Sequence, residues 1–125
     1  MNLGDAFLMT VPPKYNLEHL YFVISDPLAH GGAFVAVNVT TDRLRAGKEC
    51  PVQSGEHRWI NRECFVNFAD ALEITLSAAA HLESLMGKLV RMERPMTAAL
   101  LARIVAAARV SRSFPGNLKT CLERA

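Results

Sequence analysis

Apolar and polar residues alternate over short spans in the first half of this chain, while in the second half apolar positions recur at helical spacing. The run 6–11 (AFLMTV) follows Gly4-Asp5 and stops at Pro12-Pro13, which cannot sit in a paired central strand, so a first strand is expected there. HLYFVIS, residues 19–25, is rich in β-branched and aromatic side chains and ends at the turn signal Asp26-Pro27. AFVAVNVTT, residues 33–41, follows a glycine turn. It sets Phe34, Ala36, Asn38 and Thr40 on one face and Val35, Val37, Val39 and Thr41 on the other. The polar stretch that follows reads as a long loop with a short strand at 50–53, and residues 58–60, 63–68 and 69–75 supply further strands. Strands this short with no crossover helices between them point to a strongly bent antiparallel sheet or small barrel.

Helices come late. Ser77 is a good N-cap for AAAHLESLMGK, with Leu82, Leu85 and Met86 at helical spacing and Gly87 as stop. A second helix starts near Pro95-Met96-Thr97 and turns Leu100, Leu101, Ile104, Val105 and Ala108 inward, Arg103 and Arg109 outward. A short piece, NLKTCLERA, ends the chain. The expected organisation is a β unit over 1–76 with a helical appendage over 77–125 packed on it, within one domain.

Composition fits that picture. At 125 residues, half of them hydrophobic, the chain can bury a core and is not of disordered type. Its first residues lack a basic leader and a spanning apolar stretch, so a cytoplasmic protein without membrane association is expected. Cys50, Cys64 and Cys121 show no CxxC spacing; reduced thiols are expected, with Cys64 and Cys121 in the core. Charge is uneven: residues 1–87 hold six Lys/Arg against ten Asp/Glu, whereas 88–125 hold eight against two. A basic tail can attract phosphate or an acidic partner, or be only the solvated side of a helix.

The stretch GEHRWINRECF raises its own question, because Glu56, His57 and Arg58 prefer water yet directly precede Trp59, Ile60 and Phe65. Either this is a solvated loop feeding a core strand, with Ile60, Phe65 and Phe68 inside, or a site lies at the mouth of a barrel.

GDAFLMTVPPKYNLEHLYFVISDP, then AFVAVNVTT, then a variable loop and a segment ending ADALEIT, resembles the order of elements in the PemK/MazF family of toxin ribonucleases over residues 4–76. It is similar also to small phage- and bacteria-borne relatives with an HLxxVISDP, VNxTT and GxHxxI pattern. The resemblance implies an SH3-like antiparallel β-barrel of the PemK/MazF/CcdB type, a homodimer, metal-independent cleavage of single-stranded RNA without a cofactor, and neutralisation by an antitoxin. In the family, the loop between the first two strands holds an arginine; this chain has Lys14, Glu18 and His19 there. The family's threonine at the end of the third strand matches Thr40 or Thr41.

The chemistry can also be argued from the residues. Attack by the RNA 2′-OH needs a base, an acid for the leaving oxygen and donors for charge developing on phosphate. His19 and His57 each follow a loop and could serve as base or acid, with Lys14 and Thr41 completing the catalytic set. Arg58, Arg62, Thr40 and Asn38 could hold the backbone, and Tyr15 and Trp59 could stack on bases. Each assignment has a structural counterpart. His57 also reads as a turn residue bonding a backbone carbonyl, Asn38 as a stabilising polar group, Thr40-Thr41 as a strand end and Trp59 as core. Cys50, His57 and Cys64 with His19 could ligate zinc, but the tight ligand pairs usual for it are absent, and no metal is expected. A non-enzymatic module that binds nucleic acid or a protein is the alternative.

Overall fold

A computed structural model describes residues 1–10, 18–41, 47–87 and 89–122. Strands β1 (Ala6–Thr10), β2 (Glu18–Val23), β3 (Phe34–Thr40), β4 (Pro51–Val52), β5 (Cys64–Ile74) and β6 (Val90–Glu93) form one antiparallel sheet in the order β4-β5-β3-β2-β1-β6. Helix α1 (Leu76–Ser84) lies between β5 and β6 in sequence, and α2 (Ala98–Val110) follows β6. The protein is mainly β with added helices, as the alternation indicates. Among the described residues the sheet has two edges, β4 and β6. Among the described residues no helix is long and apolar enough to cross a membrane.

Because strand side chains alternate, the sheet has two buried faces, each covered by one helix. Leu8, Leu20, Phe22, Val35, Val37, Val66 and Phe68 form the first face, on which α2 lays Leu100, Ile104, Val105 and Ala108. Phe114, from the segment after α2, meets Phe68 edge-on with ring centroids 5.9 Å apart. Phe7, Tyr21, Val23, Phe34, Ala36 and Ile74 form the second face, on which α1 sets Leu82. Phe7 and Tyr21 stack there at 5.4 Å. Each fully buried Leu, Val or Phe contributes about 1.5–3 kcal/mol, so the two faces together supply most of the driving force.

Four local expectations differ from what folds. Segments 63–68 and 69–75 are one strand, β5, interrupted by a bulge: Ala36 faces Leu72 but Asn38 faces Asn67, so β5 fits extra residues opposite Val37. Residues 58–60 form turns instead of a strand. Thr75, not Ser77, caps α1, its hydroxyl accepting from the Ala78 N–H at 3.3 Å, because the helix starts directly where β5 ends. Finally, the helical appendage expected over 77–125 contains, between its two helices, β6, an edge strand that pairs with β1 from Ala6↔Glu93 to Met9↔Val90.

Candidate functional site

The loop from Gln53 to Glu63 reaches from the β4 edge to the opposite edge of the sheet. Its tip is built by Gly55, whose φ of 89° suits glycine alone, and by hydrogen bonds from Gly55 N–H to Ile60 O and from Ile60 N–H to His57 O. Glu56 receives two guanidinium N–H groups of Arg103 on α2, at 2.6 and 2.7 Å, and the Gln53 N–H at 2.7 Å. That bidentate pairing with Arg103 is the main cause holding the Glu56 carboxyl below the usual carboxylate range. Arg58 donates to Glu93 on β6 at 2.7 Å. The Glu93 carboxyl is also held low, first by the Arg94 backbone N–H and then by Arg58.

His57 is 4% exposed and sits between these two anchors. The Trp59 N–H donates to its Nδ1 at 3.1 Å, so Nδ1 carries no proton; Nε2–H donates to the Arg94 carbonyl at 2.5 Å. The ring packs edge-on against Phe22, 5.7 Å between centroids. Both nitrogens are spent on the backbone and the ring faces the core. His57 is therefore a clamp rather than the proton carrier expected at a barrel mouth, while Arg58 beside it pairs with Glu93 and keeps its side chain 62% exposed. The polar trio of the sequence is explained: Glu56 meets α2, His57 the chain after β6, and Arg58 the end of β6.

The other expected residues lie elsewhere. His19 is half-buried on β2, where it faces Met9 of β1. The register that sets Tyr21 against Asn38 carries His19 to the level of Thr40. Asn38, also paired with Asn67 of β5, is buried. Thr41 is exposed just beyond β3. His19, Tyr21, Asn38, Thr40 and Asn67 thus share the second face of the sheet, toward the end where β1 finishes and β2 begins. Trp59 is 40% exposed on the clamp loop, and Arg62 is exposed at the loop's end, its carbonyl accepting from the Cys64 thiol at 3.4 Å. Lys14 and Tyr15 fall outside the described residues.

One member of this polar row escaped the sequence reading. Asn67 is 1% exposed, and its Nδ2 donates to Asp70 in the bulge at 2.8 Å, while its Oδ1 is buried with no hydrogen-bond partner. A buried acceptor left unmet costs about 1–3 kcal/mol. The signal was present: asparagine interrupts apolar runs twice, in AVNVTT and FVNFADA, and only the register shows that the two are cross-strand neighbours.

Much of the basic tail is consumed internally. Arg91 forms a two-pronged pair with Glu18, Arg103 with Glu56, Arg109 donates to Leu122 O at 2.7 Å, and Lys119 to Ser111 O at 2.8 Å. Cys50 and Cys64 are buried, and burial pushes both thiols up. Among the described residues no three His, Cys, Asp or Glu side chains are grouped so as to hold a metal ion. Neither a family model nor a curated protein sequence matches the chain.

Proposed function

We propose that this chain is a PemK/MazF-like protein acting on single-stranded RNA, with the sheet as a curled SH3-like barrel whose open side is spanned by the clamp loop. The observation that carries the reading is the polar row of His19, Asn38, Thr40 and Asn67 on one sheet face. It runs to the sheet end where β1 finishes and β2 begins, and Lys14 and Tyr15 fall between those two strands in sequence. His19 supplies the proton carrier, Thr40, Thr41 and Asn38 donate to the RNA backbone, and Lys14 offsets phosphate charge. Tyr15 is the stacking residue. No step needs a metal, and a homodimer controlled by an antitoxin belongs to the same reading.

A second reading, binding without cleavage, is favoured by one observation: with His57 locked, His19 is the one imidazole at that end among the described residues, and acid–base cleavage uses two proton carriers. Purified protein incubated with single-stranded RNA in EDTA separates these. The toxin reading expects cleavage that His19→Ala abolishes with folding intact. Retarded but uncut RNA selects the binding reading, and RNA neither bound nor cut refutes both.

A further inference from the structure

The clamp loop buries one ring and shows another to water. His57 points into the core, while Trp59, two residues on and the one tryptophan of the chain, is 40% exposed. Tryptophan is on average highly buried, so an indole held at the surface asks for a reason. Its backbone is fixed. The Trp59 N–H donates to His57 Nδ1, and the same turn is closed by the Ile60 N–H to His57 O and the Gly55 N–H to Ile60 O. A ring presented from a fixed backbone loses little freedom when a flat group stacks on it.

Planar cations stand near that indole. The other nitrogen of His57 holds the Arg94 carbonyl, so the backbones of Trp59 and Arg94 flank a single imidazole, and both side chains are exposed. Arg62 is exposed at the end of the same loop. The carboxylates of this surface are engaged elsewhere: Glu56 with Arg103, Glu93 with Arg58 and the Arg94 N–H, and Glu63 with the Gln53 side-chain amide at 2.7 Å. No salt bridge joins the guanidinium of Arg62 or Arg94 to a described residue. A stacking face beside uncommitted guanidinium groups suits a single nucleic-acid strand, whose bases are open and whose phosphates are regularly spaced. A duplex keeps its base faces inside its own stack and has nothing to lay on the ring.

We propose that the outer surface of the clamp loop is a second contact for single-stranded RNA, in which Trp59 stacks on a base while Arg62 and Arg94 hold flanking phosphates. The inference rests on the RNA reading above and extends it to a different part of the molecule. The two surfaces are continuous in the fold, because Arg62 lies three residues before Phe65, which pairs with Thr40 of the polar row.

The test follows the emission of Trp59, which reports alone because the chain has no other tryptophan. The full chain is titrated with a 2′-O-methyl RNA of about twelve nucleotides, which lacks the attacking hydroxyl and so stays intact, and with the same strand annealed to its complement. The single strand is expected to quench Trp59 and the duplex to leave it unchanged. By anisotropy of a labelled strand, Trp59→Ala weakens binding about tenfold. Arg94→Ala lowers the slope of log affinity against log salt by about 0.7. Both replace exposed side chains, circular dichroism checks their folding, and the quench in the parent chain needs no variant. A strand that binds with Trp59 emission unchanged and with equal affinity for Trp59→Ala overturns this inference and leaves the polar row as the RNA site. Equal quenching by the duplex also overturns it, because the contact is then charge without stacking. Absence of binding by any strand, unmodified RNA included, overturns both this inference and the RNA reading.

Discussion

The clamp loop and the polar row on the second sheet face are both rich in groups that prefer water, and they treat those groups in opposite ways. In the loop every headgroup that faces the fold is answered: Glu56 by Arg103, Arg58 by Glu93, and both His57 nitrogens by backbone. In the row, Asn67 keeps an acceptor buried without a partner. Satisfied polar networks tie elements together, whereas an unsatisfied one is a cost that stability alone does not account for. The histidine that looked most like a catalyst therefore belongs to the architecture, and it is Asn67, among plainer residues, that carries the unmet cost.

The sharpest way to break this comparison is His57→Ala. It removes a ring packed on Phe22 and strands the Arg94 carbonyl and Trp59 N–H, so a loss of about 3 kcal/mol is expected in urea unfolding. A change below about 0.5 kcal/mol would mean that the ring is not a clamp.

Arg103→Ala comes next. The pair with Glu56 is partly exposed and screened, so the cost at neutral pH is about 1 kcal/mol. Its pH dependence has a definite sign. The Glu56 carboxyl is lower in the folded chain than in the unfolded one, so its contribution is fully present above the ordinary carboxylate pKa and is lost as pH falls through the lowered value. Urea midpoints taken from about pH 5 down to pH 3 should fall more steeply for the parent chain than for Arg103→Ala. Parallel slopes would contradict the assignment.

The smallest effect is predicted for the row. Asn67→Leu removes the orphaned acceptor along with the bond to Asp70, and stability should move by no more than about 0.5 kcal/mol. A loss above about 2 kcal/mol would show that Asn67 is held for the fold.

How much of this could be read from the chain depends on the range of the interaction involved. β1 to β3 were visible because alternation and the stops at Pro12-Pro13 and Asp26-Pro27 are local signals. The inward face of α2, with Leu100, Ile104, Val105 and Ala108, follows from helical spacing alone. β6 was missed because only Val90 of its four residues is fully buried, so its apolar signal is that of one residue. The β5 bulge hid as a break between two strands, since exposed Ala69 and Asp70 interrupt the alternation. The partners that tie Glu56, His57 and Arg58 to the rest of the fold, Arg103, Arg94 and Glu93, lie about thirty-five or more residues along the chain, in contacts that no local pattern encodes. Nor could the pairing of Asn38 with Asn67, which rests on register across the bulge, be read from either run.

The most direct measurement of the central claim is the imidazole nitrogen spectrum of His57 in the folded protein. A clamp predicts a single neutral form with the proton on Nε2, protected from solvent exchange and close to the Arg94 carbonyl, with Nδ1 accepting from Trp59. An imidazole whose proton exchanges freely with solvent, or sits on Nδ1, would contradict it.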